Sequence, residues 1–124
     1  MQTVVETPAF LASAEEEGLS PEDRQRIVDH IAHNPKAGEL MPGTGGARKV
    51  RFAGRSKGKN GGYRVVTFFG GDDIPVFLID VYGKDTQANL SKTERNELRR
   101  ALTALPREWR ESRAKRSGKK EFRK

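Results

Sequence analysis

The chain has no cysteine among its 124 residues, so it can form neither a disulfide nor a cysteine-ligated zinc site. It has one tryptophan and two histidines, and aromatic residues make up only 7%. No apolar run approaches the length of a membrane span. The start, residues 1 to 14, contains an A-x-A-like pattern at residues 12 to 14. It has no basic n-region, and Glu6 and Pro8 interrupt it, so it reads as part of the mature protein and not as a signal peptide. Together these absences point to a cytoplasmic protein without a membrane partner. The most informative absence is of negative charge: no acidic residue occurs between Glu39 and Asp72.

That acid-free stretch contains Arg48, Lys49, Arg51, Arg55, Lys57, Lys59 and Arg64. Residues 47 to 53 alternate, which sets Lys49 and Arg51 on one side of a strand and Val50 and Phe52 on the other. Residues 63 to 69 are aromatic and β-branched and read as a second strand. The glycine-laden connection between them predicts an antiparallel hairpin with a basic loop. A sheet face of fixed positive charges suits phosphate, above all the closely spaced phosphates of a nucleic acid.

The net charge of +7 is unevenly spread. Residues 106 to 124 hold nine cations against three acids, a net of +6. An acidic N-terminal third, with Glu6, Glu15, Glu16, Glu17, Glu22 and Asp23, balances the basic hairpin. Such polarity favours an oriented encounter with a polyanion.

In chain order, residues 2 to 6 predict an edge strand. Thr7 and Pro8 open a helix that Gly18 closes. Ser20, Pro21, Glu22 and Asp23 open a second helix, with Ile27, Val28 and Ile31 as its apolar stripe and an end before Pro35. Residues 34 to 46 read as a loop. After the hairpin, residues 74 to 82 form a near-continuous apolar strand, central or covered on both faces. Ser91 and Glu94 make a capping box for a last helix, whose Leu98, Leu102, Leu105 and Trp109 keep helical spacing past Pro106, where the helix restarts. The order predicts an α+β fold: a small antiparallel sheet with two N-terminal helices and one C-terminal helix, packed on one face with the other open.

The run from Pro42 to Val65, the strand from Phe77 to Lys84 and the helix opening at Leu90 resemble the HigB-type branch of the RelE/ParE toxin superfamily. The likeness covers residues 3 to 105, which divides the chain into a toxin domain, 1 to 105, and a basic C-terminal extension, 106 to 124. It implies the RelE-like microbial ribonuclease fold and a type II toxin, an endoribonuclease that cuts mRNA on the ribosome without a metal or other cofactor. It further implies a cognate HigA-like antitoxin of helix-turn-helix type, with operator DNA reached only through the antitoxin complex.

The resemblance carries two basic residues of one strand and an arginine of the next onto Lys49, Arg51 and Arg64. The RelE branch has a further arginine and a tyrosine where this chain has Asp85 and Ser91. Tyr82 and Lys84 are the nearest replacements.

These residues fit the chemistry on their own terms. RNA cleavage by its own 2′-OH needs a proton acceptor there, positive charge at the phosphorus and a donor for the leaving 5′ oxygen. Crowding between Arg48 and Arg51 suits Lys49 to act as a base, whereas arginine keeps its proton and can only stabilise charge. A merely solvated sheet face is the plain alternative. Arg48 is a candidate RNA contact, Arg55, Lys57 and Lys59 fit a grip on RNA backbone or a soluble loop, and Tyr63 fits a base-stacking platform or ordinary strand packing. His30 and His33 lie on the second helix, away from the basic strands, with no third metal ligand in view. Asp80 reads as a partner for a neighbouring arginine. Trp109 reads as core, or as part of a groove for an antitoxin segment. The competing functional class is a non-catalytic RNA- or ribosome-binding module, or a ParE-like toxin acting on a protein such as gyrase.

Overall fold

The computed structural model describes residues 1–53, 62–83 and 91–122, with side chains as far as residue 114. Arg55, Lys57, Lys59, Lys84 and Asp85 lie outside the described residues.

The chain opens with β1 (Val4–Glu6), followed by α1 (Pro8–Glu16) and α2 (Pro21–His33). Thr7 caps α1 twice over: its Oγ1 accepts from the Phe10 N–H at 3.2 Å and donates to the Leu78 carbonyl at 2.7 Å, fixing the helix to the sheet. Gly18, at φ +77°, supplies the left-handed turn after α1. At α2, Ser20 and Asp23 form a reciprocal capping box, each side chain accepting from the other's N–H at 3.0 and 3.1 Å.

Two short-range signals lead into the sheet. Its remaining strands are β2 (Glu39–Leu40), β3 (Ala47–Phe52), β4 (Tyr63–Phe68) and β5 (Val76–Gly83), and their spatial order is β1-β5-β4-β3-β2. β3 and β4 pair antiparallel as expected, and so do β4 with β5 and β2 with β3. The α+β class stands, with one refinement: β1 joins β5 in parallel, so the sheet is mixed. A strand of three residues carries no sequence mark of its partner's direction. β2 falls within the stretch expected to be loop, because two residues give no periodicity to read.

Helices cover both faces, which corrects the expectation of one open face. On one side Phe10, Ala14, Ile27 and Ile31 of α1 and α2 pack against Val50, Phe52, Val65, Leu78 and Val81. On the other, α3 (Lys92–Phe122) lays Leu98, Leu102, Leu105 and Trp109 against Ala47, Val66, Phe68, Ile74 and Phe77. Ser91 and Glu94 start α3 with the expected capping box. The helix continues through Pro106 without a restart, although proline cannot donate to the Leu102 carbonyl. Trp109 meets Phe77 edge-on at 5.5 Å, and Arg110 bonds both Asp73 oxygens at 2.6 and 2.8 Å. The first turns of the basic extension are therefore continuous with the body.

Candidate functional site

Lys49, Arg51 and Arg64 share the sheet face on which α3 lies, and Arg51 and Arg64 are at the end that no described helix packs against. Strand alternation turns Val50 and Phe52 into the α1/α2 core and leaves Lys49 and Arg51 exposed on the opposite side. Arg51 is directly opposite Arg64 in the β3/β4 ladder, and Arg64 is directly opposite Tyr82 in the β4/β5 ladder. Their Cβ atoms thus stand about 5 Å from one another along the row. The adjacent row runs Glu39, Lys49, Val66, Asp80.

A β-bulge brings Tyr82 into this row. Thr67 pairs with Leu78 while Val66 pairs with Asp80, so Ile79 is the extra residue on β5. Strict alternation from Val76 and Leu78 would turn Asp80 and Tyr82 into the α1/α2 core. The bulge shifts the period by one, puts Val81 in that core and aims Asp80 and Tyr82 at the cationic face.

Between this face, β2 and the start of α3 lies a groove of about 630 Å³, lined by Lys49, Asp80, Tyr82, Glu39, Glu94 and Arg95 together with apolar side chains that include Leu40 and Leu98. Burial pushes the Tyr82 hydroxyl above the ordinary tyrosine range, with Arg64 pulling the other way and Asp80 adding to the rise. The phenol therefore keeps its proton at neutral pH and can donate. Asp80 accepts the Val81 N–H at 2.9 Å and presents its carboxylate beside Tyr82.

The loop after β2 shapes the rim. Thr44, buried, accepts the Ala47 N–H and donates to the Met41 carbonyl, which holds the turn under α3. Gly43 and Gly45, both at positive φ, lie so close to Arg95 and Arg99 that a Cβ would meet them at 2.9 and 3.2 Å. Glycine here is a packing requirement and not a phosphate loop.

Two expected RNA contacts lie elsewhere. Arg48 is on the opposite face, where its guanidinium donates to the Gly38 carbonyl at 3.3 Å. Tyr63 is also on that face, packed against the α1/α2 core beside Phe52, and burial raises its hydroxyl above the usual range. Neither shares a face with Lys49. The same alternation that exposes Lys49 and Arg51 turns Arg48 away, and Tyr63 follows Val65.

The histidines sit on that side too: His30 meets Phe52 edge-on at 5.3 Å and His33 Nδ1 lies 2.9 Å from the Asp29 carbonyl. Among the described residues no group of three or more histidines and carboxylates is placed to hold a metal ion. No helix among them is long and apolar enough to cross a membrane.

Glu39, Glu94 and Arg95 are groove residues that the sequence alone did not single out. Glu94 was legible as a cap, but only the packing of α3 beside β2 makes it a wall of the groove.

No family model matches the chain. Among solved structures it is similar to a free-state mutant of the E. coli toxin RelE in which two arginines are replaced by alanine. The identity is 21%, over 68% of this chain and 84% of that one, with a TM-score of 0.49.

Proposed function

We propose that this protein is the toxin of a type II toxin–antitoxin system, a cytoplasmic endoribonuclease that cuts mRNA on the ribosome using its own side chains and no metal. One observation carries the reading: the row Arg51, Arg64, Tyr82 lies beside Lys49 on the sheet face that also carries α3. The motifs that resemble HigB-type toxins supply Lys49, Arg51 and Arg64, and Tyr82 is the nearest replacement for the tyrosine that gives way to Ser91 here.

The cations hold the scissile phosphate. Attack of the 2′ oxygen forms a new bond to phosphorus and breaks the bond to the 5′ oxygen, leaving a 2′,3′-cyclic phosphate. Lys49, with Arg51 and not Arg48 as the cation on its face, accepts the 2′-OH proton, Arg51 and Arg64 stabilise the added negative charge, and Tyr82 donates a proton to the departing 5′ oxygen. Arginine is confined to the electrostatic part because it does not lose its proton. Lys84, Arg55, Lys57 and Lys59 remain proposed contributors, the first to chemistry and the others to backbone grip. A HigA-like antitoxin is the proposed silencing partner.

Inducing the chain alone in bacteria and mapping mRNA ends tests the reading. Growth arrest with new cuts ending in 2′,3′-cyclic or 3′ phosphate is the expected result, lost on Lys49→Ala or Arg64→Ala. If both variants fold, bind ribosomes and remain fully toxic, the face is a docking surface. The binding module or the gyrase-directed toxin then replaces the enzyme.

A further inference from the structure

Away from the sheet, residues 92 to 114 of α3 sort their charges into sectors. At 3.6 residues per turn, Leu98, Leu102, Leu105 and Trp109 project into one sector of about 60° that faces the sheet. Lys92, Arg95, Arg99, Arg100, Arg107, Arg110 and Arg113 fall in a second sector of about 140° beside it, and Glu94, Glu97, Glu108 and Glu111 fall in a third of about 100°. Charges placed only for solubility would be interspersed along the helix to form i,i+4 pairs. Over residues 92 to 114 they are largely segregated, with Arg107 and Glu111 the i,i+4 pair at the boundary.

The middle of the basic sector is a shallow groove of about 290 Å³, lined by Arg99, Arg100, Thr103, Ala104 and Arg107. Arg99 donates to Asn96 at 3.2 Å, which steadies it, and Arg110 is committed to Asp73. Arg99 to Arg107 span about 12 Å of rigid helix. All three cations at the groove are arginines, whose planar donors match phosphate oxygens better than a lysine's point charge. The groove has no aromatic side chain on which an unpaired base could stack, so it is suited to backbone and not to single strands.

We propose that this face of α3 is a second RNA site, binding the phosphate backbone of a double-stranded RNA segment while the sheet face holds the strand to be cut. Arg95 connects the two, since it lies in the same sector and also lines the sheet-face groove. The inference rests on the endoribonuclease reading for its purpose, but its binding step is measurable without cleavage.

The test uses the full chain carrying Arg64→Ala, so that the RNA stays intact, and a short fluorescein-labelled RNA duplex followed by anisotropy in rising KCl. Adding Arg99→Gln, Arg100→Gln and Arg107→Gln should lower the slope of log affinity against log salt by about 2 to 3, at roughly 0.9 per phosphate contact. Circular dichroism should be unchanged. Should the triple change disturb the fold, Arg100→Gln with Arg107→Gln should still lower the slope by about 2. Glu108→Gln with Glu111→Gln on the neighbouring acidic sector should not lower it. An unchanged slope in the arginine variants overturns the proposal, as does an equal loss seen with a single-stranded oligonucleotide in place of the duplex. Failure of the cleavage reading would leave this slope intact, so the two are separable.

Discussion

The two faces of the sheet obey different rules. Under α1 and α2, side chains at Phe10, Ile31, Val65, Val76 and Leu78 are wholly buried, and the packing is mainly apolar. On the other face α3 covers only one end, and the remainder sets Arg51 directly across from Arg64. Like charges opposite each other in a ladder oppose folding. The closed face supplies stability that the open face gives up in part, and under the proposed function the open face gains a place for the scissile phosphate.

The sharpest contrast comes from deleting apolar volume on the closed side. Leu78→Ala should cost about 2 to 5 kcal/mol in denaturant unfolding, because the side chain is fully buried beneath α1 and leaves a cavity. A cost of a few tenths would mean that face is not the core of the fold.

On the open side, Lys49→Ala or Arg64→Ala should lower the cleavage rate by about 10² or more, roughly 2.7 kcal/mol of transition-state stabilisation at tenfold per 1.36 kcal/mol. Unfolding midpoints should barely move. Arg64→Lys should rescue poorly, since an ammonium lacks the bidentate grip. Wild-type cleavage in any of these would move the chemistry to other residues.

Smaller effects belong to the helix that closes the first face. Ser20→Ala removes the acceptor for the Asp23 N–H and should cost about 1 kcal/mol. The Ser20 N–H, bonded to the Asp23 carboxylate, holds that carboxyl below its ordinary value near 3.8, and Arg26 adds to the effect. A depressed folded pKa contributes stability that is present above the unfolded value and disappears as pH falls through the folded one. Asp23→Asn should therefore flatten the stability profile below about pH 4 and leave the shape above pH 5 unchanged, as read by thermal melts across pH.

The least effect is expected where α3 clips to the turn before β5. Arg110 holds the Asp73 carboxyl below its usual range, yet both groups are exposed, so salt should screen the pair. Arg110→Ala should change the melting temperature only at low ionic strength. A loss that persists in high salt would mean the clip, and not the apolar stripe, seats α3.

How far these features were legible depends on how local their causes are. The starts of α1, α2 and α3 were readable because Thr7, Ser20 and Ser91 act on residues three positions away. The β3/β4 hairpin was readable because alternation and glycine spacing are properties of one short stretch. Other features depend on residues far apart in the chain: the parallel seat of β1 on β5, the two-residue β2 and the covering of the second face by α3. The bulge is the most instructive case. Period-2 reading from Leu78 sends Asp80 and Tyr82 to the buried face, and only the register against Val66 and Thr67 reveals the slip that brings Tyr82 to Arg64. Alternation was also enough to separate Arg48 and Tyr63 from Lys49, although charge and aromaticity alone grouped them together.

On the proposed function, the row Arg51, Arg64, Tyr82 exists for an anion and at the expense of the fold. Arg51→Thr tests it most directly, because threonine suits a strand and removes one of the two facing cations. Unfolding midpoint and RNA cleavage rate measured on the same preparation should move in opposite directions: stability equal or higher by about 0.2 to 1 kcal/mol, cleavage lower by about 10². A variant that is less stable and still cuts at the wild-type rate would contradict the account.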